Sequence, residues 1–543
     1  MHSDHTKLQR SLRHSADEIL AMGGDSRLLI DSSTGLSKYG SSTRPRPQTL
    51  PFGSCTASSI STLGFEAASR LHRSLLSIED EAELRNAVEE RLDALRNELS
   101  FLLTRCSVPG VEVVLSPSGT DVELLALALQ QGSGGAPLTN ILVGPTEVGS
   151  GSPLAAAGKH FDNMTPNGNR RQPGDPVDEK MAEQIQVVNV CLRDGAGVAR
   201  PEHALDSEVE AIVEEHTARG RRILLHVVAH SKTGLHAPSL GAINRLRARH
   251  ADEVLVVIDA AQGRFSRRGL VEVLKSGHMV LITGSKFYGG PPFCGALLVP
   301  PNAHPDVRGL TGLAPGFSDY FTADQLPPTW QRLRADLPAT GNLGLLLRWT
   351  AAITEMRQYY DTPSRLRLRV LRAFEHLLPG ILSDSPNVDV DAPHPPMLCD
   401  DVERVLQSKT TVFSFSLLDA DGVRLDIESL RHVWRWLNVD ASALLAGLPL
   451  NDRRKLEPSL HLGQPLVLTQ SSSGPAVLRA AVGGALVTQL AQDPDWGNRF
   501  EDRLLHLENA IYSLRLKMET IAQNYPLMRS AELGFGQPQR LVS

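Results

Sequence analysis

The sequence predicts an α/β fold, with a mostly parallel seven-stranded sheet in a large domain and a smaller C-terminal α+β domain. Short apolar runs alternate with helical stretches between about residues 110 and 300, which is typical of α/β folds. Most of these runs are apolar throughout, as expected for strands covered on both faces. After residue 300 the alternation stops, and at 543 residues the chain exceeds what one hydrophobic core usually holds. We therefore expect two domains.

Each of the seven predicted strands is a short run rich in Val, Ile and Leu. The runs lie at residues 111–115, 140–144, 185–190, 222–229, 253–259, 279–283 and 295–299. Helical stretches lie between them at 121–131 and 240–251. The ligand site of such a sheet lies beyond the carboxyl ends of its strands. Polar residues that follow the runs are therefore the first candidates for function.

The rest of the chain divides where its pattern changes. We expect an N-terminal arm at residues 1–50, a large domain at 51–340 and the α+β domain at 341–543. Helical periodicity marks 342–360, 364–378 and 502–522, and further elements are expected at 410–418 and 476–487. The last helix carries an apolar stripe made of Leu504, Leu507, Ile511, Leu514 and Met518. We interpret the stripe as core packing rather than as an oligomer contact.

Residues 161–181 interrupt the alternation with a stretch rich in Pro, Gly, Asn and charge. A surface insertion is favoured there over an active-site lid. Arg170 and Arg171 within it could meet an anionic substrate, but a solvated loop explains them more simply.

Composition excludes several classes of protein. A net charge of −6 and a pI near 6.3 give no electrostatic basis for binding nucleic acid or an anionic membrane. The first residues have no apolar segment of a secretion signal, and no apolar run is long enough to span a bilayer. Five scattered cysteines without a CxxC spacing argue against a disulfide framework and a zinc site. We expect a cytoplasmic protein.

The turn after the first strand has the composition of an anion site. Ser118, Gly119 and Thr120 stand between that strand and a helix, where small residues let backbone N–H groups approach a phosphate. The same residues could be an ordinary helix cap.

Two later strands end on ionisable residues. Asp259 closes the run "VLVVID", and an ionised carboxylate there needs a cationic partner. Lys286 follows the next strand in the small, polar turn "TGSK". A phosphate site, a strand-end Asp and a strand-end Lys together meet the needs of pyridoxal 5′-phosphate (PLP): the lysine holds the aldehyde as a Schiff base, and the carboxylate keeps the ring nitrogen protonated.

These motifs resemble the fold-type I PLP-dependent enzymes, of the class V aminotransferase and cysteine desulfurase kind. The resemblance covers roughly residues 27–345, with a weaker likeness at 460–487. It implies that Lys286 carries the Schiff base and that Thr283 and Ser285 contact the phosphate. It also implies that Asp259 pairs with the ring nitrogen and that Gln262 reaches the phenolic oxygen.

The resemblance extends to residues outside the sheet. It implies that Ser231, with His230 as the second choice, also contacts the phenolic oxygen. Thr340 would reach the phosphate of a neighbouring subunit, which implies a homodimer, and Arg479 would bind a substrate α-carboxylate. Residues 27–40 and 52–61 resemble segments at the substrate mouth, although ordinary turn composition explains them equally well.

Two departures from the family pattern limit what it implies. Val148 follows Glu147 where the family has a histidine over the cofactor ring, and an aliphatic residue cannot act as an acid or base. Residues 468–475 hold serines where a desulfurase has its nucleophilic cysteine, and Cys294 is interpreted as a small buried residue. Cysteine desulfuration is therefore disfavoured.

The resulting expectation is a PLP enzyme that acts on an amino acid or amine through an external aldimine and a Cα carbanion. Aminotransfer is the leading expectation. A lyase, a Cβ or Cγ replacement or a C–C bond-forming synthase is the alternative, and a non-catalytic binding protein is the alternative from another class. The cluster of His226, His230 and His236 matches no metal-binding scheme, so no metal is expected. Lys232 competes with Lys286 as Schiff-base lysine but lacks the Thr-Gly-Ser setting.

Overall fold

The computed structural model describes residues 8–131, 137–303, 310, 312–339, 341–392, 410–471, 473–492 and 498–535. Its strands form two sheets. They are β1 (Leu50–Phe52), β2 (Glu112–Ser116), β3 (Leu138–Val143), β4 (Ile185–Val190), β5 (Arg222–Val228), β6 (Val254–Ala260), β7 (Met279–Thr283), β8 (Gly295–Val299), β9 (Val388–Val390), β10 (Val412–Leu417), β11 (Leu460–Val467) and β12 (Ala476–Ala481).

Helices of very different length surround these sheets. They are α1 (Ala16–Leu20), α2 (Thr62–Leu76), α3 (Glu81–Thr104), α4 (Gly119–Gln131), α5 (Ser152–Ala156), α6 (Glu179–Glu183), α7 (Glu202–Ala218), α8 (Leu240–Arg249), α9 (Arg267–Lys275), α10 (Gln331–Ala335), α11 (Leu343–Asp361), α12 (Ser364–Ser383), α13 (Ile427–Leu437), α14 (Leu450–Leu456), α15 (Gly484–Gln492), α16 (Phe500–Gln523) and α17 (Tyr525–Phe535).

The larger sheet has the strand order β2-β8-β7-β6-β5-β3-β4. Neighbours from β7 to β4 are parallel, while β8 runs antiparallel to both β7 and β2. Each of the seven strands lies within two residues of its predicted position. The predicted mostly parallel seven-stranded sheet is therefore confirmed.

Continuous apolar strands form here because both faces of the sheet are covered. Val257 and Leu281 belong to the core on the side of α4, whereas Ile258 and Val280 belong to the core beneath α8 and α9. Successive residues of one strand thus supply opposite cores. The register pairs Asp259 of β6 with Leu281 of β7, so both strands end at the same edge of the sheet.

The second sheet has the order β1-β11-β12-β10-β9 and mixes one parallel pair with antiparallel ones. Its edge strand β1 comes from the N-terminal part of the chain and pairs with β11. Together with the helices α12 to α16, it makes the smaller α+β domain of the predicted fold. The predicted stripe on α16 is core packing: Leu507, Ile511, Leu514 and Met518 are buried, and Leu504 packs against them.

The stretch 161–181 is held against the body of the protein. Arg171 forms an ion pair with Asp319, with 2.6 Å between Nε and Oδ2, and Asn169 also donates to that carboxylate. Asn167 donates to the backbone of Ser318. Within the described ranges, no helix is both long and apolar enough to cross a membrane.

Candidate active site

A cavity lies where the carboxyl ends of β5, β6 and β7 meet the start of α4. Its empty volume, counted together with the solvent at its mouth, is about 750 Å³. The predicted residues that line it are Ser118, Gly119, Thr120, Val148, Asp259, Gln262, Thr283, Ser285 and Lys286. The strand order brings them together from parts of the chain far apart in sequence. Thr340 lies outside the described residues.

Asp259 and Lys286 are the central charged pair of the cavity. Burial raises the pKa of Asp259, while the Lys286 ammonium and the N–H of Ala261, which donates to Oδ1 at 2.9 Å, act to lower it. Burial lowers the pKa of Lys286, and Asp259 opposes that shift. A lysine with a lowered pKa holds more of its amine in the uncharged, nucleophilic form.

The start of α4 presents both free and occupied donors. The Ser118 hydroxyl donates to the Asp121 carboxylate, and Thr283 Oγ1 donates to the carbonyl of Ala261 at 2.7 Å. These two hydroxyls therefore have partners within the protein. The backbone N–H groups of Gly119 and Thr120 start the helix, where an anion is favoured by the helix dipole.

An ion pair that the sequence did not reveal lies beside this helix start. Arg27 lines the cavity and forms hydrogen bonds with Asp25 through both Nε and Nη2. Its guanidinium also lies over the ring of Phe293, 5.2 Å from the centroid. Burial and the nearby Asp25 raise the pKa of Asp121 to about 7. The sequence could not predict this ion pair, because no pattern in residues 1–50 indicates which of them approach α4.

Val148 lies in the cavity wall, in a turn that a buried carboxylate anchors. Glu147 is fully buried and accepts from Arg193 Nε at 2.6 Å. It also accepts hydroxyl hydrogens from Ser231 and Thr233, each at 2.5 Å. Although burial opposes it, the charge of Arg193 and the two hydroxyls hold the pKa of Glu147 below its ordinary value.

This network explains where Ser231 lies. Its hydroxyl donates to Glu147 and accepts the N–H of Leu235 at 3.0 Å, and Ser231 is not part of the cavity wall. His230, the second choice from the sequence, does line the cavity. Burial lowers the pKa of His230 well below its ordinary value, so its imidazole is neutral.

Arg479 on β12 lies behind the cavity rather than in its wall. Its Nη1 donates to the carbonyl of Lys232 at 3.1 Å, and its Nη2 donates to Thr56 Oγ1 and to the carbonyl of Gln464. Arg479 is therefore not exposed to the cavity, where the resemblance implied that it would contact a substrate α-carboxylate. Lys232 itself lines the cavity together with Lys286.

Two further residues of the wall were not recognised as site residues from the sequence. Glu123 of α4 is buried, accepts from Ser152 Oγ at 2.7 Å and has an Oε2 atom without a partner among the described residues. Burial and the nearby Asp259 raise its pKa well above the ordinary value, so the group is a neutral acid. Cys294 also lines the cavity, and burial raises the pKa of its thiol to about 12.

The chemistry of this donor set fits PLP. A helix start, a strand-end carboxylate and a lysine amine line one cavity. Gln262 adds a buried Oε1 without a partner in the described part of the chain, while its Nε2 donates to the carbonyl of Cys55. In the ranges that the structure describes, no group of three His, Cys, Asp or Glu side chains could hold a metal ion.

Comparison with solved structures identifies the fold. The cystine C–S lyase C-DES, in complex with its reaction product cysteine persulfide, is 15% identical; the match covers 86% of this chain and 98% of that one, with a TM-score of 0.50. Rhodiola rosea 4-hydroxyphenylacetaldehyde synthase is 10% identical, with coverage of 93% and 86% and a TM-score of 0.50. Oryza sativa TDC with PLP is 12% identical, with coverage of 89% and 85% and a TM-score of 0.49.

The chain therefore has the fold of the fold-type I enzymes, as its sequence predicted. Within that fold, it has a seven-stranded large domain and a smaller α+β domain. No protein-family model matches the sequence. No curated protein matches it either.

Proposed function

We propose that this protein is a PLP-dependent enzyme that acts on the amino group of an amino acid or amine, with Lys286 as the residue that carries the cofactor. The observation that supports the proposal most strongly is the shared cavity of Lys286, Asp259 and the start of α4. These are the three partners that the aldehyde, ring nitrogen and phosphate of PLP require.

The residues that would hold the cofactor follow from their chemistry. The N–H groups of Gly119 and Thr120 and the Thr120 hydroxyl would be the phosphate donors, and Ser285, whose side chain is hydrogen-bonded to Cys294, would be a further one. Asp259 would hold a proton on the ring nitrogen, and Val148 would cover a ring face. When bound, PLP supplies an electron sink for a bond broken at the substrate Cα.

The protein's own groups would then move the protons. With a substrate in the cavity, the Lys286 amine would take a proton from the substrate Cα. Its lowered pKa favours the uncharged form that this role requires. Burial raises the pKa of Asp259, while the Lys286 charge and the Ala261 N–H act to keep its negative form. Retention of both residues in one cavity argues against a binding protein without catalytic activity.

For the reaction itself, we propose aminotransfer. The alternative is a lyase, a Cβ or Cγ replacement or a C–C bond-forming reaction, and Val148 favours it because this residue brings no acid or base to the cavity. Cysteine desulfuration remains disfavoured. Cys294 has a pKa of about 12 and keeps its proton, so it is a poor nucleophile. The homodimer implied by the family resemblance also stays a prediction.

Cofactor attachment is the first test. The purified protein, supplied with PLP, is treated with borohydride, and the modified peptide is mapped by mass spectrometry. We expect modification at Lys286, its loss in Lys286→Ala, and wild-type behaviour in Lys180→Ala, which changes an exposed lysine. Absence of modification, or modification confined to Lys232, would contradict the proposal.

A second experiment separates the reaction classes. The loaded enzyme is incubated with single amino acids, and the cofactor and small products are analysed by chromatography. Accumulation of pyridoxamine 5′-phosphate with the matching keto acid indicates aminotransfer. Release of ammonia with a keto acid, or of a new amino acid, without pyridoxamine 5′-phosphate indicates the alternative.

A further inference from the structure

We propose that Lys232 binds a carboxylate of the substrate, in place of the direct contact that the family assigns to Arg479. This inference rests on the proposed function and specifies its substrate class: an amino acid rather than a simple amine. Lys232 would then be a specificity-determining residue of the cavity.

The position of Lys232 is the first argument. It lies in the same cavity wall as Lys286, Asp259 and Val148. Its backbone is fixed on both sides, because its N–H donates to the carbonyl of Glu147 at 3.0 Å and its carbonyl accepts from Arg479 Nη1 at 3.1 Å. The side chain is therefore presented to the cavity from a rigid turn.

The charges around the cavity are the second argument. Arg27 is paired with Asp25, and Arg193 is paired with Glu147. Lys286 has Asp259 as its nearby opposite charge. Among the described residues, Lys232 has no carboxylate within ion-pair distance, and its amine donates only to the carbonyl of Thr146, at 3.4 Å.

Arg479 adds a second positive charge without a carboxylate partner in the described ranges. Its donors go to neutral oxygens, and its buried Nε has no partner there. Two basic side chains without a carboxylate partner beside a small-molecule cavity favour an anionic ligand group. Lys232 lines the cavity and Arg479 does not, so Lys232 contacts the substrate carboxylate. The positive charge of Arg479 behind it adds to the attraction for that carboxylate.

The free amine is consistent with this role. Burial, Arg479 and Lys286 lower the pKa of Lys232 to about 7, against the opposing effects of Glu147 and Asp259. A carboxylate beside the amine favours its charged form. Carboxylate binding at pH 8 should therefore take up a proton from the buffer.

Calorimetry with propionate, which has a carboxylate but no amino group, tests the inference on the PLP-loaded protein. Titrations at pH 8 in two buffers of different ionisation enthalpy give the affinity and the number of protons taken up. We expect proton uptake in the wild type and in Lys180→Met. In Lys232→Met the uptake should be lost and binding should weaken roughly 10- to 100-fold. Lys232→Arg should retain much of the affinity without proton uptake.

Several results would overturn the inference. One is equal affinity or proton uptake in Lys232→Met, and another is wild-type protein that binds propionate without proton uptake or not at all. The wild-type measurement decides the question even where a variant does not fold. If inorganic phosphate binds the unloaded protein through Lys232 and PLP abolishes that binding, Lys232 belongs to the cofactor phosphate instead. If borohydride fails to fix PLP at Lys286, the proposed function is refuted but the inference about Lys232 is not. The propionate titration is then carried out on the purified protein without PLP.

Discussion

Replacement of Arg193 by Met should destabilise the protein strongly, because it leaves the Glu147 carboxylate buried without its ionic partner. The side chains of Arg193 and Glu147 are only 9% and 0% exposed. Breaking a buried ion pair from one side typically costs about 3–5 kcal/mol. The hydroxyls of Ser231 and Thr233 still donate to Glu147, so we expect about 3 kcal/mol, or roughly a 150-fold change in the unfolding equilibrium.

The loss should depend on pH. In the wild type, the folded-state pKa of Glu147 lies below the ordinary value of 4.5. The pair therefore stabilises the fold above about pH 4.5, and this stability is lost as the pH falls through the folded-state pKa. Without Arg193, burial dominates and raises the folded-state pKa above 4.5. The variant then loses stability as the pH rises through that range, so its deficit should be larger at pH 8 than at pH 5.

Urea unfolding followed by tryptophan fluorescence at the two pH values measures the change. Arg219→Met is the matched control, because Arg219 and Glu215 form a 2.6 Å ion pair whose side chains are 60% and 55% exposed. Its effect should stay below about 1 kcal/mol at both pH values. Equal effects of the two substitutions, or a deficit in Arg193→Met that does not change with pH, would refute the reasoning.

Two further predictions concern catalysis and packing. In Asp259→Asn, borohydride should still fix PLP at Lys286, but turnover should fall about 100-fold or more because a neutral amide cannot hold the ring proton; unchanged turnover of a converted amino acid would contradict the role of Asp259. Gly290→Ala should destabilise the protein by about 1–3 kcal/mol in urea, since a Cβ there would lie 2.5 Å from Ala352 Cβ and 2.8 Å from the carbonyl oxygen of Gly284. Gly380→Ala, in α12 with nothing within 4 Å, is the control and should stabilise the protein by about 0.5–1 kcal/mol.

The sequence predicted the large sheet well because its signal is local. Each strand is a continuous apolar run, and Asp259 and Lys286 stand out because polar residues at strand ends break that run. The parallel order then brings those ends to one edge. Asp259 and Lys286, which a local pattern indicates, are therefore found in one cavity.

The remaining features depend on contacts between distant parts of the chain. Arg27 and Asp25 reach α4 from the N-terminal arm, and Arg193 finds Glu147 across two strand ends. No sequence motif marks Arg27, Asp25 or Arg193. Lys232 lacks the "TGSK" setting in the sequence, and that no carboxylate of the described residues pairs with it is visible only in the folded chain. Whether the Arg479 side chain is exposed to the cavity likewise depends on how β12 packs against the turn at Lys232.

The edge strand β1 has a consequence for how the protein is made. During synthesis it leaves the ribosome early, whereas its partner β11, paired through Leu50 and Leu460, emerges only when most of the chain is complete. The smaller domain therefore cannot finish its sheet as an independent unit of cotranslational folding. A fragment that begins after β1 would expose the backbone N–H and C=O groups along one side of β11, a template for self-association. In the folded chain, β1 covers this side of β11.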